Sequence, residues 1–314
     1  MLKVADLFAG IGGIRLGFER VFDDVECVFS SEIDKFAIQT YKANFNETPS
    51  GDITKIKSDE IPDFDMLLAG FPCQPFSSAG LKKGFFDERG GMFFEVVRIL
   101  RDKKPSMFLL ENVKNLKSHN DGNTLEFMIK SLRNLGYDVC FEVLKARDFG
   151  LPQNRERIYI VGFNFKTNFI FPKPLNIKTK LNDILEKNVD EKYTISDRLW
   201  QGHQRRKIEN KKAGKGFGYG LFDKNSEYVN TLSARYYKDG SEILIEQIGK
   251  NPRKLTPREC ARLQGFKDSF TIPVSNNQAY RQFGNSVAIN VIENIAKEIK
   301  KALKDCEMKK ASNF

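Results

Sequence analysis

Histidine and tryptophan are nearly missing from this chain, with two of the first and one of the second in 314 residues. His119 and His203 both lie in polar segments and read as solvated, so no histidine is placed for hydride chemistry. The five cysteines, at 27, 73, 140, 260 and 306, form an odd, scattered set without a CxxC pair. That excludes a disulfide framework and a zinc site, and fits a reducing compartment. No apolar run approaches the roughly 20 residues that a membrane helix needs. The N-terminus enters a strand directly, without the apolar stretch of a secretory signal. A cytoplasmic protein with no metal and no membrane contact is expected.

What is abundant is positive charge, and it is uneven. Residues 1–165 carry 22 basic and 24 acidic side chains, a net of −2, while residues 166–314 carry 29 and 17, a net of +12. Basicity concentrated in one half suits a polyanionic partner. A merely solvated lysine-rich face would give the same count.

The first 165 residues alternate between apolar strand-like and amphipathic helix-like segments. Strands are expected at 4–8, 25–30, 65–69, 106–110, 139–143 and 157–161, with helices to about 22 and at 34–44, 91–103 and 124–136. Such alternation with short connections predicts an α/β fold, a doubly wound Rossmann-like and mostly parallel sheet. The pattern breaks at Phe171-Pro172-Lys173-Pro174. Residues 175–250 lack a regular period, and helical periodicity resumes at Thr256-Pro257. The expected division is a catalytic and cofactor-binding domain at 1–168, a smaller irregular domain at 169–252, and a segment at 253–314 returning to the first domain.

Candidate chemistry sits at the expected strand ends, where α/β enzymes bind ligands. Asp6-Leu7-Phe8-Ala9-Gly10-Ile11-Gly12-Gly13 is a strand followed by a glycine turn, spaced GxGG rather than GxGxxG. Glu32 ends the next strand, placed to accept from ribose hydroxyls, and Asp52 could accept from an adenine amino group. Phe71-Pro72-Cys73-Gln74-Pro75 puts a thiol just past an apolar strand, a candidate nucleophile. Glu111 ends another buried strand on the same edge, where desolvation should raise its pKa. Gln153-Asn154-Arg155-Glu156-Arg157 leads into a strand, and two arginines spaced by two should share a face. Gln282-Phe283-Gly284-Asn285-Ser286-Val287 reads as a polar turn before the last helix, able to close over a cofactor.

Seven such pieces in this order resemble the DNA (cytosine-5) methyltransferases over almost the full chain. The resembling pieces are residues 6–13, Glu32-Ile33-Asp34, Gly51-Asp52-Ile53, Gly70-Phe71-Pro72-Cys73-Gln74-Pro75-Phe76-Ser77, Glu111-Asn112-Val113, residues 153–157 and Arg281-Gln282-Phe283-Gly284-Asn285-Ser286-Val287. One departure is visible: Ile33 stands where some relatives carry an aromatic residue.

The resemblance implies S-adenosylmethionine as cofactor, giving S-adenosylhomocysteine, and double-stranded DNA as partner, bound by a monomer. It assigns Phe8, Ala9, Gly10, Ile11, Gly12, Gly13, Glu32, Ile33, Asp52, Ile53, Pro72, Asn285 and Ser286 to the cofactor. Cys73 would add to C6 of a flipped-out cytosine. Glu111 would serve its N3, and Arg155 and Arg157 would supply positive charge. Ser77, Lys82, Lys83 and Gln153 would meet the DNA, with residues 73–91 as a closing lid. Residues of about 170–250 would read the site. Within them Arg205, Arg206, Lys207, Lys211, Lys212 and Lys215 suit phosphates. Two loops, 214–220 with Tyr219 and 231–240 with Thr231, Arg235, Tyr237 and Lys238, resemble those of bacterial methylases of CC-N-GG-type sites. A restriction-modification methylase at the nucleoid is the leading expectation. A tRNA cytosine-5 methyltransferase, a silent DNA-binding homologue and, more distantly, a nicotinamide enzyme are the alternatives.

Overall fold

A computed structural model describes residues 1–72, 91–216 and 218–311, with side chains as far as Cys306. These residues form two compact units. One holds Met1–Leu144, Glu156–Lys173 and the chain from Val291 onward; the other holds Lys145–Arg155 and Pro174–Asn290.

The first unit is built on six strands: β1 (Leu2–Leu7), β2 (Val25–Ser31), β3 (Met66–Gly70), β4 (Met107–Val113), β5 (Asp138–Lys145) and β6 (Glu156–Phe163). Their order is β2-β1-β3-β4-β6-β5. β1, β2, β3 and β4 pair in parallel, and β6 runs antiparallel to β4. Each expected strand is therefore present, in a mostly parallel α/β sheet. The helices are α1 (Gly13–Glu19), α2 (Lys35–Phe45), α3 (Phe93–Lys103) and α4 (Asn123–Asn134). β3 and the first six residues of β4 read as near-continuous apolar runs because both faces of a parallel sheet are covered. On one face Leu67, Ala69, Phe108 and Leu110 share a core with Val96 and Leu100 of α3 and Met128 and Leu132 of α4. Strand order reverses between β1 and β3, and ligands of open α/β sheets bind at such a reversal, outside the strands' carboxyl ends.

The second unit has only short strands, β7 (Leu221–Phe222), β8 (Leu244–Ile245) and β9 (Arg253–Lys254), in that order. Around them lie α5 (Asp197–Lys212), α6 (Tyr236–Asp239), α7 (Pro257–Leu263) and α8 (Asn276–Asn285). The last helix, α9 (Ile289–Ala311), passes into the first unit. Thr256 caps α7 through a reciprocal bond with Glu259, and Pro257 occupies the first turn, as the sequence suggested.

Three expectations need correcting. The boundary expected at 169 falls before Pro174, and the return expected at 253 falls at Val291. The cause of the second is packing: Tyr280 lies edge-on to Tyr236 at 5.2 Å, and its hydroxyl donates to the Leu255 carbonyl at 2.6 Å. The polar turn expected at 282–287 is largely the last turn of α8. No helix among the described residues is long and apolar enough to cross a membrane.

Candidate active site

At the end of β1 the chain turns through Phe8, Gly10 and Gly12, whose φ values are 56°, 57° and 79°. A left-handed conformation strains Phe8 and marks a backbone held in place by its surroundings. Glu32 supplies much of that hold. Its carboxylate accepts from the N–H groups of Gly10 (2.8 Å), Ile33 (2.7 Å) and Asp34 (2.8 Å). A carboxylate has about four acceptor positions, so capacity remains for a further donor. A Cβ at Gly10 would meet only the Phe8 carbonyl, at 4.0 Å, so the space over the turn is open.

Asp52 caps a short 3-10 turn, accepting from the Thr54 hydroxyl (2.8 Å) and N–H (3.0 Å). Those bonds hold its carboxyl below the usual carboxylate range. Ile33 is 74% exposed. An open turn with two fixed carboxylates and an apolar contact fits a nucleoside-bearing cofactor. Ile11, Gly12, Gly13 and Ile53 are buried, and a Cβ on Gly12 would strike the Phe45 ring at 2.2 Å. The first three shape the turn from within, and Ile53 joins the core that holds Ala5 and Leu7.

Beside the turn lies a partly buried charge cluster, centred on Arg15, that the sequence did not single out. Arg15 bonds Glu19, the Tyr41 hydroxyl and both oxygens of Glu47, and lies 4.2 Å from the Phe45 ring centre. Asp6 is 1% exposed, and burial pushes its carboxyl up to about 7, outweighing the nearby Arg15 charge.

Farther along the same sheet edge, β4 brings Glu111 opposite Gly70 of β3 and Tyr159 of β6. Glu111 is nearly buried, and its carboxylate pairs with Arg157 of β6 (Nε to Oε1, 3.1 Å). The other carboxylate oxygen would lie 3.7 Å from a Cβ on Gly70. The Asn112 side chain donates to the Phe71 carbonyl at 3.0 Å, anchoring the chain two residues before position 73. Pro72 is exposed. Cys73, Ser77, Lys82 and Lys83 lie outside the described residues, as does the expected lid.

Arg155 departs from expectation. β6 begins at Glu156, so Arg155 lies before the strand and shares no strand face with Arg157, and it belongs to the second unit. It is 2% exposed and donates to the carbonyls of Leu232 (3.0 Å), Gly284 (3.2 Å) and Ser286 (2.5 Å). Gln153, expected at the DNA, is fully enclosed. Its amide donates to the Leu263 carbonyl (3.1 Å) and accepts from the Leu232 N–H (2.9 Å). Both side chains brace the segment that carries the 231–240 loop. Asn285 and Ser286 close α8 in this same unit.

On the 231–240 loop Arg235 and Lys238 are exposed. Arg235 makes no side-chain hydrogen bond or ion pair among the described residues; Asp239 is held instead by Arg206 (3.1 Å). The Thr231 hydroxyl donates to the Asn154 carbonyl (2.7 Å), and Tyr237 accepts from Arg281 (3.0 Å). Lys215 is exposed and Tyr219 packs edge-on to Trp200. Of the basic side chains assigned to phosphates, Arg205, Lys211 and Lys212 point outward, whereas Arg206 and Lys207 are engaged within the unit.

A family model described as C-5 cytosine-specific DNA methylase matches residues 2–301. The chain is 68% identical over 305 residues to Type II methyltransferase M.NlaX of Neisseria lactamica, covering 96% of this chain and 97% of that one. It is 61% identical over 302 residues to M.SsoII of Shigella sonnei, covering 95% and 79%. Against M.HhaI of Haemophilus parahaemolyticus it is 42% identical over 318 residues, covering 96% and 95%. Among solved structures, the Entamoeba histolytica methyltransferase EhMeth superposes with a TM-score of 0.81 at 21% identity, covering 96% of this chain and 99% of that one. At these identities the structural likeness concerns the fold.

Proposed function

The chain belongs to the C-5 cytosine-specific DNA methylase family, and from that premise we propose that it methylates C5 of a flipped-out cytosine through a covalent bond from Cys73 to C6. The carrying observation is the Glu111–Arg157 pair at the carboxyl end of β4, on the sheet edge that leads into the Phe71-Pro72-Cys73 segment. A base stacked in a duplex cannot enter such an edge, so the target must leave the helix.

Phe8, Ala9, Gly10, Glu32, Ile33 and Asp52 would hold S-adenosylmethionine, with Glu32 at the ribose hydroxyls and Asp52 at the adenine amine. When bound, that cofactor supplies an electrophilic methyl group. Cys73 acts as thiolate, adding to C6 and turning a poor carbon nucleophile into an enamine at C5. Glu111 holds a proton at N3 as charge develops there and accepts from the exocyclic amine. Arg157 fixes the Glu111 carboxylate and adds positive charge beside the base. Loss of the C5 proton then expels the thiolate and restores the ring.

Double-stranded DNA is the substrate of this reading, and the net +12 of residues 166–314 supports phosphate contact. The loops 214–220 and 231–240 would read a CC-N-GG-type site, with Arg235 offering two parallel donors to a guanine. The residue is exposed, and its side chain pairs with no acid among the described residues. The Type II relatives support a restriction-modification role for this reading.

A duplex with 5-fluorocytosine at the target position tests the covalent step, because fluorine cannot leave as the proton does. The enzyme should be trapped on it in the presence of cofactor, and Cys73→Ala should not. Adduct formation or methylation by Cys73→Ala would remove Cys73 from the nucleophile's role.

A further inference from the structure

Arg206 is one of six basic side chains between 205 and 215, and it is less exposed than Arg205 beside it, at 42% against 78%, because its guanidinium is engaged. Its guanidinium donates from Nη1 to Asp239 Oδ2 (3.1 Å) and from Nη2 to His203 Nδ1 (2.9 Å) and to the Gly218 carbonyl (3.4 Å). His203 is 1% exposed, and its Nε2 lies 3.2 Å from the Asp239 carbonyl. Because Arg206 can only donate, Nδ1 must be the acceptor, and Nε2 carries the proton that Asp239 receives. A neutral ring is required, and burial lowers the His203 pKa in that direction. Asp239 also accepts from the Ser241 N–H (3.1 Å) and so fixes the end of the 231–240 loop.

The other loop rests on the same helix. Tyr219 packs edge-on to Trp200 at 4.9 Å, and the Lys207 ammonium lies over its ring at 4.3 Å. A Cβ on Gly218 would lie 2.6 Å from Lys207 Cβ, so the backbone there lies flush against α5. One guanidinium therefore touches the backbone of the 214–220 loop, the side chain that ends the 231–240 loop, and the helix between them.

We infer that Arg206, with His203 and Asp239, is a positioning group that fixes the two loops relative to each other and so sets site discrimination, without itself contacting DNA. The inference rests on the assignment of base reading to these loops. Lysine cannot replace Arg206, since one ammonium cannot serve three acceptors spread over a planar fork. Backbone shifts of about 1 Å at a reading loop misalign bidentate base contacts and so cost discrimination.

The test compares the full-length wild type with Arg206→Gln, Gly218→Ala and Arg235→Ala. Each is assayed for methylation of every single-base variant of the preferred site and for the salt dependence of duplex binding. Melting curves and S-adenosylmethionine titration confirm that each variant is folded. Arg206→Gln should lower the ratio of preferred to variant-site rates about tenfold or more while leaving the salt slope unchanged. Gly218→Ala, which displaces the loop without removing a charge, should relax the same positions and keeps the test valid if Arg206→Gln fails to fold. A uniform loss at all sites with a salt slope smaller by about one unit would make Arg206 a phosphate contact and overturn the inference. So would unchanged discrimination in both loop-displacing variants. If Arg235→Ala alone relaxes the site, only the positioning role falls; if no variant does, the reading assigned to the loops falls with it.

Discussion

Among single residues, Asp6 makes the sharpest thermodynamic demand. Its carboxyl is enclosed at the end of β1, and its Oδ2 has no hydrogen-bond partner among the described residues. Burial raises its pKa from 3.8 to about 7. A carboxyl with a raised folded-state pKa contributes stability below its unfolded value and loses it as pH rises through the folded one. The wild type should therefore melt at a lower temperature at pH 8 than at pH 5 by more than Asp6→Asn does. Parallel melting curves for the two proteins across that range would show that Arg15 fully compensates the charge. Residues whose chemistry is written in their type were legible in the sequence: Glu32 and Glu111 sit at the ends of β2 and β4 as expected, whereas Asp52, expected to end a strand, caps a 3-10 turn instead. Arg155 and Gln153 were not, because a guanidinium or an amide serves backbone carbonyls as readily as DNA. Their spacing in sequence does not reveal which of the two they meet.

At the level of elements, the sheet was legible because buried parallel strands leave continuous apolar runs, as Met66–Gly70 does. α5 was not, because His203 is its only buried residue and no apolar stripe marks its face. Its register is set by polar and aromatic contacts at positions 200, 203, 206 and 207. Helix contacts can also be tighter than composition suggests. Gly17 of α1 lies against α9, where an added Cβ would meet Ile292 at 2.4 Å and the Glu293 nitrogen at 3.2 Å. Gly17→Ala should destabilise the protein by about 1–3 kcal/mol despite the better helix propensity of alanine. Denaturant unfolding checks this; a stabilised variant would mean that the helices part at little cost.

Across the molecule as a whole, charge follows sequence position more than it follows fold. The basic surplus falls almost entirely after residue 165, and exposed Lys211, Lys212, Lys215, Arg235 and Lys238 belong to it. DNA affinity should accordingly fall by orders of magnitude between about 50 and 200 mM salt, as expected for several neutralised phosphates. Lys212→Ala should reduce the slope by about one unit. A flat affinity over that range would deny the basic half its contact with the DNA backbone. Domain limits were less legible than charge, because the return to the first unit at Val291 depends on ring packing between Tyr236 and Tyr280, far apart in sequence.

The bonds by which Gln153 and Arg155 clasp other segments of their own unit have a bearing on how specificity can be inherited. Leu232, Gly284 and Ser286 are held through main-chain atoms, with Arg155 taking their carbonyls and Gln153 the Leu232 amide. A clasp of that kind is indifferent to the side chains it holds and asks only that the backbone follow the same path. On the proposed reading, loop residues could drift to a new site while the clasp stays intact, and this corner of the protein would serve as a socket for interchangeable readers. A reader transplanted from a relative would need to match the path of the chain at Leu232 and could differ freely at Arg235, Tyr237 and Lys238.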